Sequence, residues 1–134
     1  MSEARIDELL KSSRTIAVVG LSPKPERDSY RVAQYMQDHG YRIIPVYPRG
    51  ETILGEKVYA RLEDIPEPVD VVDVFRKAED TPPVAESAVR IGAKALWLQL
   101  GIENEVAEAI ADAGGLEFVQ NKCMKIEHQR RLGA

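Results

Sequence analysis

The sequence predicts an α/β domain, a Rossmann-like three-layer sandwich with a mostly parallel five-stranded sheet. Three observations carry that expectation. Short apolar runs alternate with amphipathic helical patterns along the chain. Several runs are apolar on both faces, as strands covered by helices on both sides must be. The first run, Ile16 to Val19, ends at Gly20 in a polar, proline-punctuated loop, and a helical pattern begins at Ser29. Strand, binding-type loop and helix in that order open doubly wound domains.

Ser2 to Leu10 reads as a helix with Ile6, Leu9 and Leu10 as its apolar stripe, covering one end of the sheet. Thr15 to Val19 is the first strand. Ser29 to His39 is a helix with Val32, Ala33 and Met36 inward, stopped by Gly40. In the next strand, Tyr41 to Tyr47, Pro45 argues against bonding on both edges along the whole length. Pro48 to Gly50 is a turn, Glu51 to Ala60 a small extended excursion, and Leu62 to Ile65 at most one helical turn before Pro66 and Pro68. Val69 to Phe75 is a strand in which Asp70 and Asp73 fall on different alternations, so one of them belongs at a terminus. Thr81 caps the next helix and Pro82 occupies its first turn, with Val84, Ala85, Ala88, Val89 and Ile91 buried. Lys94 to Leu98 is a strand. Asn104 to Ala113 is a helix with Val106, Ala109, Ile110 and Ala113 inward. Leu116 to Val119 is the last strand, and Met124 to Arg131 the last helix. No repeat or linker interrupts residues 1–134, which read as one domain.

Composition narrows the partners. A net charge of −4 gives no global attraction to nucleic acid or to an anionic membrane. No apolar stretch approaches the roughly 20 residues of a membrane span. A lone cysteine excludes an intramolecular disulfide and fits a reducing compartment, and the charged N-terminus lacks a signal-peptide core. The expectation is a cytoplasmic protein with a small-molecule ligand.

Ligands of such folds sit beyond the carboxyl ends of the strands. That rule selects Gly20 to Asp28, Pro48 to Gly50, Phe75 to Asp80 and Gln99 to Glu103, with the start of the last helix near Asn121. In the first loop Gly20 permits close approach, Ser22 and Ser29 offer hydroxyls, and Lys24 and Arg27 add positive charge. An anion site and an inert solvated loop both accommodate these residues. The Gly-x-Gly-x-x-Gly pattern is absent. An NAD site also wants an acid after the second strand, where this chain has Pro48-Arg49-Gly50. Arg49 instead favours a phosphorylated ribose, as in coenzyme A or NADP. Arg76 and Lys77 follow the third strand, and both a phosphate contact and an exposed charge are open to them. Asp70 and Asp73 do not read as a catalytic pair. Cys123 and His128 read as a buried thiol and a surface imidazole, without the further ligands a structural zinc needs. Trp97 reads as packing.

The stretches IAVVGLSPKPERDSYRVAQYMQDHGYRIIPVYP, ILGEKVYARLEDIPEPVDVVDVFR, ALWLQLGIENEVAEAIADAG and VQNKCMKIEH together resemble the stand-alone coenzyme A-binding proteins of bacteria and archaea. These in turn are similar to the amino-terminal domain of the succinyl-CoA synthetase α-subunit. The resemblance spans about Ser12 to His128. It implies coenzyme A or an acyl-CoA as ligand, held by Gly20, Leu21, Ser22, Pro23, Arg27 and Ser29 at the pyrophosphate. It also implies Pro48 and Arg49 near the 3′-phosphate, Phe75 and Arg76 beside the adenine, and Gln99 and Gly101 toward the ribose–phosphate or pantetheine. Gly20 and Ser22 match the synthetase's Gly-x-Thr-Gly, Pro23 replaces its second glycine, and only Gly101 survives of its Thr-Glu-Gly. The synthetase's phosphohistidine belongs to a second domain, so the resemblance implies binding without ligase catalysis and no catalytic residues here. An NAD(P)-binding or redox-sensing module, and a small CoA-thioester enzyme using Cys123 or His128, are the alternatives. The terminal helices leave a homodimer or an unidentified protein partner open.

Overall fold

The computed structural model describes residues 1–133. Its elements are α1 (Glu3–Ser12), β1 (Thr15–Val19), α2 (Asp28–Asp38), β2 (Arg42–Val46), β3 (Thr52–Ile53), β4 (Glu56–Lys57), β5 (Val71–Val74), α3 (Thr81–Arg90), β6 (Ala95–Leu98), α4 (Glu105–Ala113), β7 (Glu117–Val119) and α5 (Met124–Arg131). Five strands form one sheet in the order β2-β1-β5-β6-β7, and every neighbouring pair is parallel. The sheet is therefore wholly parallel. From β1 the chain moves outward to β2, then returns to the other side of β1 and continues through β5, β6 and β7. The reversal lies between β1 and β5, and a crevice opens at the carboxyl ends of such a pair. The excursion after β2 is the antiparallel hairpin β3–β4, whose turn residues Leu54 and Gly55 both have positive φ, as a two-residue hairpin turn requires.

Period-two alternation divides the sheet between two cores. Ile16, Val18, Val71 and Trp97 point to one face and pack with Ile6, Leu9 and Leu10 of α1, Val32, Ala33 and Met36 of α2, and Met124 of α5. Ala17, Val19, Val72, Val74, Leu96 and Leu98 point to the other face and meet α3 and α4. The helices of the second layer are packed through small residues, Ala85 and Ala88 against Ala107 and Ala111. Gly114 completes that close approach, since a β-carbon there would lie 2.4 Å from a methyl of Val89.

Local chemistry fixes the ends. Ser2 accepts a hydrogen bond from the Arg5 amide and caps α1. The apolar stripe of α1 packs into the first core, and Arg131 clasps the helix to α5 by pairing with Glu3, Asp7 and Glu127. Pro45 stands inside edge strand β2. Its carbonyl faces outward and accepts from the Tyr59 amide at 3.0 Å, so the missing N–H also faces outward and removes no bond to β1. Asp70 precedes β5, where its carboxylate accepts from the amides of Arg14 and Thr15 at 2.8 and 3.0 Å and joins the starts of β1 and β5.

Two expectations are corrected. The buried stripe of α4 is Ala107 and Ala111, while Val106 is exposed. Alanine-rich sequence offers too little contrast to set the helix phase. Thr81 is the first residue of α3 rather than its cap, and its hydroxyl donates to the Ala78 carbonyl at 2.7 Å. The preceding turn, Ala78–Asp80, runs straight into the helix.

The cap of α4 is doubly used. Asn104 Oδ1 accepts from the Ala107 amide at 2.8 Å, and Nδ2 donates to the Ala78 carbonyl at 2.9 Å. Asn104→Ala should lower stability in urea denaturation by about 1–2 kcal/mol. An unchanged midpoint would show that neither bond matters.

Candidate functional site

The crevice between β1 and β5 is built around Gly20. Its amide donates to the Val46 carbonyl at 2.9 Å, and the Phe75 amide donates to the Val19 carbonyl at 2.9 Å, so three strand ends meet here. Gly20 has φ +86°, and a β-carbon on it would lie 2.3 Å from the Phe75 carbonyl oxygen and 3.3 Å from Arg76 Nε. No side chain fits at that point.

Beyond Gly20 the loop is braced by its serines. Ser29 Oγ accepts from the Ser22 amide at 3.0 Å, and Ser22 Oγ accepts from the Lys24 amide at 3.1 Å. Each hydroxyl keeps its hydrogen free to donate. α2 starts at Asp28 with no side chain capping it, so its first amides face the loop unpaired. The Asp28 carboxylate is drawn to Arg31 at 2.6 Å, and among the described residues Lys24, Arg27 and the intervening Glu26 form no ion pair. A cavity of about 430 Å³ lies here, with Gly20, Ser22, Lys24, Arg27, Ser29 and Phe75 among its walls and Tyr47 opposite. Backbone amides at an open helix start, free hydroxyls and cations are the donor set of a phosphate site.

Phe75 also borders a second cavity of about 320 Å³, toward β6, walled by Val32, Leu100, Ile102, Cys123 and Ile126. A third, of about 350 Å³, lies on the α3 side of the sheet and is lined by Val19, Val46, Arg61 and Arg76. Arg76 Nε is buried beside Gly20 and, among the described residues, has no hydrogen-bond partner.

The remaining sequence candidates fall into place around these cavities. Leu21 is fully buried in the first core, so only its backbone faces the loop. Pro23 is exposed at the loop tip. Pro48 and Arg49 follow Tyr47 directly and are exposed. Gly101 is exposed with φ +87°, and its amide donates to Asn121 Oδ1 at 2.7 Å. Gln99 is buried, and both ends of its amide are engaged: Nε2 donates to Asp73 Oδ1 at 2.5 Å, and Oε1 accepts from the Met124 amide at 3.2 Å. It ties β5, the β6 exit and the start of α5 together. Lys24, Asp28 and Tyr47 complete the first cavity; the sequence points to Lys24 as a charge of this loop, but not to Asp28 or Tyr47. Tyr47 had a usable signal, an aromatic side chain at the ligand end of a strand.

His128 is buried, against the expectation of a surface imidazole. Its Nδ1 meets the Tyr35 hydroxyl at 2.8 Å, and the rings of Tyr35, His39 and Tyr41 surround it. Burial pulls its pKa down, helped by His39. Cys123 is half-buried at the start of α5, and among the described residues no hydrogen bond joins it to His128. Trp97 is buried and donates to the Lys122 carbonyl at 2.8 Å. Among the described residues no group of three or more His, Cys, Asp or Glu could hold a metal ion, and no helix is long and apolar enough to cross a membrane.

The CoA binding domain family matches residues 14–129. A protein of Bacillus subtilis, YneT, described as uncharacterised, is 42% identical over 127 residues, covering 95% of this chain and 94% of its own. A hypothetical protein from Pyrococcus horikoshii superposes with a TM-score of 0.96 at 44% identity, covering 99% of this chain and 94% of its own. The α-subunit of the ADP-forming acetate–CoA ligase I of Pyrococcus furiosus is 31% identical over 93 residues, covering 65% of this chain and 20% of that longer protein.

Beneath the crevice, burial pushes the Asp73 carboxyl up to about 7 from 3.8, against the Gln99 bond that lowers it. An acid whose folded pKa is raised contributes its full stability below the unfolded pKa and loses it as pH rises to the folded value. Wild-type stability should therefore fall between about pH 4 and 7 relative to Asp73→Asn, which keeps an acceptor for Gln99 and does not titrate. Parallel urea titrations across that range check it. A pH-independent difference between the two proteins would contradict the assignment.

Proposed function

The chain belongs to the CoA-binding domain family, and on that premise we propose that it binds coenzyme A or an acyl-CoA across the crevice between β1 and β5. The observation that carries this reading is Gly20. It leaves no room for a β-carbon against Phe75, and it lies under an uncapped helix start with Lys24 and Arg27 on the same cavity. The pyrophosphate sits on the Gly20–Ser29 loop, where α2 amides, the Ser22 and Ser29 hydroxyls and the two cations converge. The 3′-phosphoadenosine lies toward Tyr47, within reach of Arg49, whose guanidinium forks to phosphate oxygens. Phe75 borders the nucleotide on one side and the pantetheine on the other, as its place on both cavities supports. Arg76 lines the third cavity, on the α3 side of the same floor, and adds positive charge there. Gln99 positions the loop from beneath, leaving the Leu100–Gly101 backbone to face the pantetheine arm.

No residue set for ligase chemistry is assigned to the crevice, so the activity proposed is binding. The donor set also explains the preference over NAD. Arg49 follows β2 where a ribose-binding acid would stand, and it favours a phosphorylated ribose.

Calorimetric titration with coenzyme A and dephospho-coenzyme A tests the reading. Wild type should bind coenzyme A more tightly. Arg49→Ala should weaken coenzyme A by roughly tenfold or more, the value of a charge-assisted bond, and leave dephospho-coenzyme A unchanged. No binding of either ligand at millimolar concentration would sink the proposal, and equal losses for both would remove Arg49 from the 3′-phosphate.

A further inference from the structure

The second cavity differs in chemistry from the first. Most of its walls are apolar, from Val32, Phe75, Leu100, Ile102, Cys123 and Ile126, and Asp28, Arg31 and Gln99 complete the lining. Leu100 is 64% exposed and Ile126 45% exposed, so two of the four exposed large apolar side chains among the described residues stand at this one opening. Exposed apolar groups gathered at a concave site mark a binding surface. The cavity adjoins the phosphate cavity, since Asp28 and Phe75 line both. It lies toward β6, on the side of the crevice away from Tyr47 and Arg49.

We infer that this cavity is an acyl chamber, and that the ligand of the crevice is an acyl-CoA with a short to medium aliphatic acyl group rather than free coenzyme A. The inference rests on the reading of the crevice as a coenzyme A site and adds the class of thioester to it. With the pyrophosphate on the Gly20 loop and the adenosine toward Tyr47, the pantetheine passes Phe75 and delivers the thioester end to the apolar walls. A thiol ending there would leave Leu100 and Ile126 in water. An alkyl chain ending there takes their apolar surface out of water together with its own. Gln99 is satisfied internally by Asp73 and Met124, so its amide adds no unpaired polar atom that would oppose a hydrocarbon.

The test is a calorimetric series of free coenzyme A, acetyl-, butyryl- and hexanoyl-CoA on the full chain, with hexanoate alone as a control. Affinity should rise by about fourfold for each methylene buried, until the chamber is filled, and hexanoate alone should not bind measurably. Ile126→Asp alters an exposed side chain and should abolish the chain-length trend while leaving free coenzyme A affinity unchanged. Leu100→Ser, at the same opening, should also flatten the chain-length trend. Equal affinity for free coenzyme A and hexanoyl-CoA would overturn the chamber and leave the coenzyme A reading standing. Failure of every thioester and of free coenzyme A would overturn both. Concentration-dependent self-association that Ile126→Asp removes, with no chain-length trend, would also overturn the chamber, because it would make the apolar lip a contact between copies.

Discussion

One backbone contact organises the ligand end of this protein: Gly20 laid against the carbonyl of Phe75. Parallel strands bring β1 and β5 side by side, and the chain must leave each in a different direction. Gly20 makes that departure with a positive φ and without a β-carbon, because the Phe75 oxygen already occupies the place one would take. The amide of Gly20 holds β2, and the amide of Phe75 holds β1. The crevice is thus closed at its floor by backbone alone, so a ligand meets main-chain groups before side chains. That is the arrangement that lets a pyrophosphate approach an open helix start.

The floor is reinforced by a buried polar link. Asp73 sits in the middle of β5, bonded to Gln99, which in turn holds the first amide of α5. A carboxyl in that position is expensive to ionise because it is buried, and the Gln99 bond offsets part of that cost by favouring the carboxylate. The structural effect of the link is to fix the β6 exit loop and α5 relative to β5. Those are the segments that carry Leu100, Ile102, Cys123 and Ile126 to the apolar cavity. The pH-sensitive group therefore lies under the wall of the site rather than in it.

Much of this architecture was legible in the sequence, for a physical reason. Strands buried on both faces leave apolar runs with sharp ends, and Gly20, Gly40 and Gly92 fall where the chain turns. The strand ends then identify the ligand loops without further information. What was not legible depends on contacts between distant segments or on weak contrast. α4 was mis-phased because Val106 and its alanines look alike to a periodicity argument. His128 was expected at the surface because Tyr35 and Tyr41, which cover it, lie far away in sequence. Gln99 reads in the sequence as a ligand-facing group, whereas the bonds that engage it come from Asp73 and Met124 in separate elements. The division of the crevice into a charged and an apolar cavity had no local signal, since its apolar walls come from α2, two loops and α5.

The central claim is that the ligand occupies the Gly20–Phe75 crevice. Amide chemical-shift mapping by NMR during a coenzyme A titration addresses it directly. The account predicts saturable shifts concentrated at residues 20–30, 47–50 and 75–76, with the amides of Asp28, Ser29 and Tyr30 among the largest. Saturable shifts confined to the opposite end of the strands, around residues 11–14 and 39–41, or no saturable shifts at all, would contradict it.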